Sequence, residues 1–200
     1  MLPNLLQSIT DRILYRRGYF RMVDATSARS APAMAKSIAN AFAPRRVVDY
    51  GCGTGSLLAC FRSLAVEARG TEFATVARQS CRIRGLEVVR LDFRRAPSKP
   101  PFGQADVATS FEVAEHLPAF AGEELVRLLA CTAPVVVFSA ATPGQGGHGH
   151  INEQPHSYWI ATFGRHGMGW DEERSREFQV AWRQAHVEAW YCDNVMVFSC

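Results

Sequence analysis

The segment VVDYGCGTGS, residues 47–56, decides the fold of this 200-residue chain. Its β-branched start is typical of a short buried strand. Asp49 is then followed by three alternating glycines, Gly51, Gly53 and Gly55. Glycine loses more conformational freedom in ordered backbone than any other residue, so such a cluster indicates a chain that turns sharply or lies against a ligand. A helical pattern follows, which places the loop at a strand-to-helix crossover, where doubly wound sheets bind their ligands.

The rest of the chain alternates between strand and helix patterns. Buried-strand patterns occur in six segments: RRVVDY, VEARGTEF, LEVVRLDF, ADVATSFEV, PVVVFSAA and NVMVFS. Helical patterns lie between them, and strands that alternate with helices at this spacing predict βαβ units. The expected fold class is therefore α/β, a doubly wound and mostly parallel sheet with helices on both faces.

The amino-terminal region reads differently from the rest. Ser30, with Pro32 shortly after it, predicts the start of a helix. We interpret residues 1–29 as a helical cap or lid and residues 30–200 as one domain, because the chain shows neither an internal repeat nor a linker.

Composition limits the possible function classes. The chain is 48% hydrophobic and 20% charged with a formal net charge of +3, a balance that does not demand a nucleic-acid partner. No two of the six cysteines form a C-x-x-C pair, which argues against a zinc ribbon. We expect reduced thiols in a cytoplasmic protein. No apolar run approaches the roughly 20 residues of a membrane span, so no membrane partner is expected.

Acidic residues at the ends of the later strands indicate which ligand the site binds. Glu72 closes the second strand pattern and is placed to accept hydrogen bonds from ribose hydroxyls. Asp92 closes the third and is placed to accept the adenine amino group, with Phe93 next to it for the ring. The loop reads G-x-G-x-G, with Ser56 where a dinucleotide site has its third glycine. This pattern favours S-adenosylmethionine, which has an ammonium and a sulfonium but no pyrophosphate.

These segments resemble the class I S-adenosylmethionine-dependent methyltransferases. VVDYGCGTG resembles their first motif, GTEF and RLDF the acids of the next two strands, and DVATSFEVAEHLP their fourth-strand segment. The resemblance implies a seven-stranded sheet of order 3-2-1-4-5-7-6 with the last strand antiparallel, and a small bacterial subgroup. With the loop and the strand-end acids, it predicts these cofactor-binding residues: Asp49, Gly51, Gly53, Gly55, Glu72, Asp92, Phe93, Ser110, Phe111 and Glu112.

The methyl acceptor is expected between the fourth and fifth strands, where histidines cluster. The loop GGHGHINEQ carries His148, His150 and Glu153, and His116 follows the fourth strand. An oxygen nucleophile gains from a general base with a pKa near neutrality, most often histidine. His150 is the first candidate for the base or acceptor-orienting group, with Glu153 holding one imidazole nitrogen. His148 and His116 are the next catalytic candidates.

A divalent metal is the alternative role for some of these residues. Glu112, Glu115 and His116 fall at i, i+3 and i+4, on one face of a helix, and His150 could complete the site. Some methyltransferases acting on catechol-like or RNA 3′-end hydroxyls use a similar arrangement. The same E-V-x-E-H-L pattern also occurs in metal-free members, so the prediction includes no metal.

The expected function is O-methylation of a small molecule or a sugar in a bacterial biosynthetic pathway, by a monomer or homodimer. Three alternatives stay open. An RNA methyltransferase would use a basic face, which Arg12, Arg16, Arg17 and Arg21 approach. A non-catalytic module could bind the cofactor or scaffold a partner. A dehydrogenase is disfavoured by Ser56.

Overall fold

The computed structural model describes the backbone of residues 17–200 and the side chains of residues 25–200. Within that part of the chain, seven strands form one sheet of order β3-β2-β1-β4-β5-β7-β6. The strands are β1 Arg46–Tyr50, β2 Glu67–Glu72, β3 Glu87–Arg90, β4 Val107–Phe111, β5 Val135–Ser139, β6 Gly169–Asp171 and β7 Met196–Ser199. β1 to β5 pair in parallel, whereas β7 runs antiparallel to both β5 and β6. The predicted fold class, strand order and antiparallel last strand are confirmed.

Helices cover both faces of the sheet. The α-helices are α1 Arg17–Phe42, α2 Ser56–Ser63, α3 Thr75–Ile83, α4 Ala119–Thr132, α5 His156–Arg165, α6 Glu172–Gln184 and α7 Ala189–Asn194. Single 3₁₀ turns at Phe93–Arg95 and Ala114–His116 follow β3 and β4. None of the described helices combines the length and apolar character needed to cross a lipid bilayer.

Two apolar cores hold the layers together. Successive residues of a strand point to opposite faces of the sheet. Phe138 of β5 therefore packs on one side with Leu125 of α4 and Trp159 of α5, with ring centroids 5.3 Å apart for the aromatic pair. Its neighbour Val137 packs on the other side with Ile38 of α1 and Trp182 of α6. Burial on both faces explains why these strands read as continuous apolar runs.

The central strand decides where a ligand can bind. β1 pairs with β2 on one side and with β4 on the other, both in parallel. The carboxyl ends at Tyr50, Glu72 and Phe111 therefore meet at one edge of the sheet. The chain order reverses between β1 and β4, which creates the crevice in which doubly wound sheets hold ligands.

Some elements differ from the sequence-based expectations. The helix start predicted at Ser30 is wrong, because α1 runs from Arg17 through Pro32 to Phe42. This helix also crosses the predicted boundary at residues 29 and 30, and the division into lid and domain stays a prediction, much of it outside the described residues. The three-residue strand β6 and the six-residue helix α7 are too short for their patterns to be recognised in sequence. The cysteines, all in the described region, form no disulfide.

Candidate active site

A cavity of about 540 Å³ opens at the carboxyl edge of the sheet. The volume falls in the range of about 300–1,000 Å³ that is usual for small-molecule sites. The glycine loop after β1, the ends of β2 and β3, and the segments after β4 and β5 form its wall. Eleven predicted site residues line it: Asp49, Gly51, Gly53, Glu72, Asp92, Phe93, Phe111, Glu112, His116, His148 and His150. The other three, Gly55, Ser110 and Glu153, do not line it.

Each of the three loop positions is occupied by glycine for a different physical reason. All have positive φ, between 54° and 83°, which disfavours other residues. A Cβ on Gly51 would lie 2.5 Å from Val113, and one on Gly55 would lie 2.4 Å from Leu86, so both positions are closed by protein packing. A Cβ on Gly53 would meet no atom within 4 Å. Gly53 is therefore the position where the backbone is open to a ligand.

Asp49 is a buried carboxylate in the wall of the cavity. Its side chain is 4% exposed and accepts a hydrogen bond of 2.7 Å from the hydroxyl of Thr109 on β4. Burial raises the pKa of Asp49 to about 7, against the lowering effect of the Thr109 hydrogen bond, and the charge of Glu72 raises it further. A cationic ligand group would favour the ionised form of this carboxyl.

Asp49 is expected to make stability depend on pH in the absence of ligand. Between its ordinary pKa of 3.8 and the folded value of about 7, the folded state keeps a proton that the unfolded state has lost. The free energy of unfolding therefore falls as pH rises across this range, by up to about 1.4 kcal/mol per pH unit. Asp49→Asn should melt higher than the wild type at pH 8, with the difference shrinking towards pH 4. Calorimetric melting curves at both pH values test this, and a lower melting temperature for the variant at pH 8 would contradict it.

Glu72 links the second strand to the glycine loop. Its two carboxylate oxygens accept hydrogen bonds from the backbone amides of Gly53, at 3.0 Å, and Ala74, at 2.7 Å. Burial raises the pKa of Glu72, although these amide hydrogen bonds and Arg78 oppose the shift. Each oxygen retains a second lone pair. Glu72 is the last residue of β2, as predicted, and its role towards ribose stays a prediction.

Glu72→Ala is expected to weaken binding of S-adenosylhomocysteine by at least about tenfold, because losing a charged hydrogen-bond partner costs roughly 1.5–3 kcal/mol. Glu67→Ala is the matched control, since Glu67 is exposed at the other end of the same strand. Calorimetric titration of both variants measures the effect. An unchanged dissociation constant for Glu72→Ala would place this carboxylate outside the ligand contacts.

The end of β3 differs in detail from the prediction. The strand stops at Arg90, and Asp92 caps the following 3₁₀ turn. The Asp92 carboxylate is held by the Arg94 guanidinium at 2.9 Å, so a ligand amino group would share this acceptor. Phe93 is 6% exposed and lines the cavity, but it also packs against the ring of Tyr50, 6.4 Å away. The expected role of Asp92 and Phe93 at the adenine stays a prediction.

Sequence reasoning missed an aromatic residue at this end of the cavity. Phe73 directly follows Glu72, is half-buried and lines the cavity. The guanidinium groups of Arg90 and Arg94 lie 4.9 and 5.1 Å from its ring centroid. The signal in the sequence was an aromatic residue next to the predicted ribose acid, so Phe73 is an additional candidate for a flat ligand ring.

The end of β4 places three predicted cofactor residues in different surroundings. Ser110 is fully buried and donates to the Tyr50 carbonyl at 2.9 Å, so it ties β4 to β1 from behind the wall. Phe111 lines the cavity and makes an edge contact with Tyr191 of α7, with centroids 6.2 Å apart. Glu112 has a φ of 53°, which is uncommon outside glycine and occurs often at functional sites.

Glu112 is the centre of a polar network that sequence reasoning missed. Its carboxylate accepts hydrogen bonds from Ser139 at 2.8 Å, Gln145 at 3.1 Å and Asn194 at 3.2 Å. Asn194 also donates to the Gln145 side chain at 2.8 Å. Burial raises the pKa of Glu112, against the effect of these three hydrogen bonds. The network connects the ends of β4 and β5 to α7.

The helical face expected from the E-x-x-E-H spacing does not form. The left-handed conformation of Glu112 breaks the chain direction after β4, and the segment Ala114–His116 is a single 3₁₀ turn. Glu112 points to the Asn194 network, whereas Glu115 and His116 meet His150. The prediction that the two glutamates share one face of a helix is therefore wrong.

The loop after β5 docks onto the segment after β4 through its backbone. The amides of Ile151 and Asn152 both donate to the Glu115 carbonyl, at 2.9 and 3.0 Å. The buried Asn152 side chain donates to the Ala114 carbonyl at 3.3 Å. These contacts place the histidines of the loop beside His116, as predicted from neighbouring strands.

His150 is held in one orientation. Its Nδ1 lies 2.8 Å from the Glu153 carboxylate, which also accepts from the amides of Gly144 and Gly146, both at 2.9 Å. These hydrogen bonds lower the pKa of Glu153, and the one with His150 makes the largest contribution. A Cβ on Gly147 would lie 2.3 Å from the imidazole, so this glycine makes room for the ring. Glu153 therefore holds one imidazole nitrogen of His150, and the catalytic roles of both residues stay predictions.

The other histidines differ in exposure. His148 is exposed at the cavity mouth. His116 lies edge-on to the His150 ring, with centroids 4.9 Å apart, and its Nδ1 is 3.3 Å from the Gly149 carbonyl. Burial lowers the pKa of His116 to about 4, and the nearby His150 contributes. His116 is therefore neutral at physiological pH.

Residues from α1 and α7 complete the wall. Ser27 and Met34 line the cavity from α1, and Trp190 and Tyr191 line it from α7. Burial raises the pKa of Tyr191 to about 12. These residues offer apolar and hydroxyl surface to the cavity, and sequence reasoning assigned a role to none of them.

Comparison with known proteins identifies relatives of this chain. A family model described as a methyltransferase domain matches residues 19–188. The ubiquinone biosynthesis O-methyltransferase of Bordetella avium is 30% identical over 139 residues, which cover 64% of this chain and 52% of that protein. The protein of the same name from Bordetella parapertussis is 32% identical over 133 residues, covering 63% and 51%. The chain thus spans about half the length of the curated relatives it matches.

Solved structures share the fold. CalS10, an amino pentose methyltransferase from Micromonospora echinaspora solved with S-adenosylmethionine bound, matches with a TM-score of 0.64 and 15% identity over 92% of this chain and 97% of that chain. The mitomycin 7-O-methyltransferase MmcR matches with a TM-score of 0.62 and 18% identity over 82% and 56%. At these identities the likeness shows the fold alone.

Proposed function

Because the chain belongs to the class I S-adenosylmethionine-dependent methyltransferases, we propose that it methylates a hydroxyl group of a small molecule or a sugar. S-adenosylmethionine is the cofactor of this family, so the dehydrogenase alternative is wrong. Two observations support oxygen as the acceptor atom. The curated relatives are named O-methyltransferases, and the imidazole groups of His116, His148 and His150 line the cavity.

The residues around the glycine loop fit this cofactor. Gly53 leaves open space where any other residue would carry a side chain. Asp49 offers a carboxylate for an ammonium group, and Glu72 offers free lone pairs for hydroxyl groups. Phe73 offers an aromatic face. When bound, S-adenosylmethionine supplies a methyl group on a cationic sulfur, and transfer is an in-line displacement in which the C–S electron pair leaves with sulfur and the acceptor loses its proton.

The main observation behind the proposal is the orientation of His150. A carboxylate can only accept a hydrogen bond, so the contact with Glu153 places a proton on Nδ1 of His150, and in the neutral ring the lone pair is then on Nε2. Such an imidazole can take up or direct the proton of an acceptor hydroxyl. The chain thus positions the acceptor through His150 and excludes water with the aromatic residues Trp190 and Tyr191.

Methyl-labelled S-adenosylmethionine tests the proposed reaction. The purified protein is incubated with the label and either an extract of the source cells, a panel of phenols and sugars, or total RNA. We expect the label in a small-molecule methyl ether, identified by mass spectrometry. Label in RNA would favour the nucleic-acid alternative, and cofactor binding without transfer to any fraction would favour a non-catalytic module.

The RNA alternative has no support from the described side chains. The basic stripe that suggested it, Arg12 to Arg21, precedes residue 25 and lies outside them. Cytoplasmic location and the monomer or homodimer state stay predictions as well.

A further inference from the structure

Glu115 is a buried acid whose side chain forms no well-placed hydrogen bond with the described residues. It is 0% exposed, and neither carboxylate oxygen meets the geometry of a hydrogen bond among residues 25–200, although the nearby backbone amides of Glu115 and Ala141 partly favour its charged form. One oxygen lies 4.0 Å from Nε2 of His116, beyond hydrogen-bond distance. Buried carboxylates are normally paired with donors or coordinate metals, and residues 25–200 offer this group no well-formed hydrogen bond.

The two neighbouring histidines present free lone pairs. The Gly149 carbonyl can only accept, so its contact with Nδ1 of His116 places the proton there and leaves Nε2 unprotonated. Glu153 has the same effect on His150. Histidines that ligate metals almost always have the other ring nitrogen held by a carbonyl or carboxylate in this way.

The three groups are close enough to share one ion. One ring nitrogen of each histidine and one oxygen of Glu115 all lie within 4.8 Å of one another. Ligand distances of about 2.0–2.2 Å put neighbouring ligand atoms roughly 3–4 Å apart around a cation. Small side-chain movements of about 1 Å would therefore close the cluster around an ion.

We propose that Glu115, His116 and His150 bind a divalent transition-metal ion, with Glu112 outside its coordination sphere. Two imidazoles and one carboxylate suit ions such as Mn²⁺, Co²⁺ and Zn²⁺, whereas Mg²⁺ prefers all-oxygen sites. The spacing of Glu112 and Glu115 in the sequence suggests Glu112 as a fourth ligand. However, the Glu112 carboxylate is occupied by Ser139, Gln145 and Asn194.

All three ligand residues line the cavity, so remaining coordination positions are open to a molecule bound there. A cation lowers the pKa of an oxygen that it binds, which would assist a hydroxyl acceptor. This consequence rests on the proposed function, whereas ion binding itself does not.

Binding of Mn²⁺ and Co²⁺ to tag-free, chelator-treated protein tests the site, because neither probe needs an acceptor. Paramagnetic resonance counts bound Mn²⁺, and visible absorption reports Co²⁺ with nitrogen ligands. We expect one ion per chain and weaker binding of Mg²⁺. His150→Ala and Glu115→Gln should each weaken Mn²⁺ binding at least about 100-fold, and Glu153→Gln by roughly 10- to 100-fold, the usual cost of losing a group that orients a ligand.

Two variants serve as matched controls. His148→Ala removes a histidine from the same loop, and Glu112→Gln removes the neighbouring acid, and both should retain Mn²⁺ affinity. No stoichiometric ion in the wild type would overturn the site, and so would an equal loss in either control. S-adenosylhomocysteine affinity is measured on the same samples. Retained cofactor binding without ion binding would overturn the metal site and leave the proposed methyl transfer standing.

Discussion

Replacing Gly53 with arginine is expected to abolish binding of S-adenosylhomocysteine while the protein stays folded. A Cβ at this position would meet no atom within 4 Å, and the residue lines the cavity, so the new side chain extends into the space of the ligand without a clash in the protein. The φ of 54° adds some backbone strain. Calorimetric titration measures the affinity, and circular dichroism checks the fold.

Gly103→Arg is the matched control for this substitution. Gly103 also has a positive φ, 70°, and open space around its Cα, but it lies in the loop before β4, away from the cavity wall. The control carries comparable strain and the same charge, so it should bind the ligand normally. Normal affinity in Gly53→Arg would mean that the ligand does not approach the glycine loop.

His150→Ala is expected to lower turnover by roughly 100- to 10,000-fold, the usual effect of losing a group that handles the acceptor proton. Affinity for S-adenosylhomocysteine should not change, because Asp49, Glu72 and the glycine loop are untouched. His148→Ala is measured alongside, because His148 lies in the same loop and is the next catalytic candidate. Rates are measured with the acceptor identified by isotope labelling, in buffer with and without chelator.

The chelator separates the two roles of His150. A rate that falls with chelator in the wild type and returns with Mn²⁺ supports the metal-ligand role, whereas an unaffected rate leaves direct proton transfer. Gly147→Ala offers an independent variant, because a Cβ there would displace the imidazole while every donor and acceptor is kept. Nearly full activity of His150→Ala in metal-free buffer would exclude both roles and direct attention to His148 or His116.

Local sequence patterns were sufficient for most of the fold. The buried strands are short apolar runs, and the positive φ of the three loop glycines between β1 and α2 is a local requirement, although the packing that closes Gly51 and Gly55 comes from the distant residues Val113 and Leu86. Glu72 stands at a strand end because the strand pattern stops there. The start of α1 could not be predicted, because proline is tolerated in the first turn of a helix and so indicates a start, whereas here it lies in the interior.

The sequence by itself determined the sheet, the glycine loop and the presence of carboxylates and histidines at the carboxyl edge, since these depend on periodicity and on strand direction. Only the tertiary structure decided which of these polar residues contact one another. Glu112 bonds to residues 27, 33 and 82 positions away along the chain, whereas Glu115, three residues later, faces two histidines. A left-handed backbone at Glu112 separates the two acids, and contacts between distant segments hold it there. Spacing along the chain contains no information about such contacts, because the strands and loops that make them come together only when the sheet has formed.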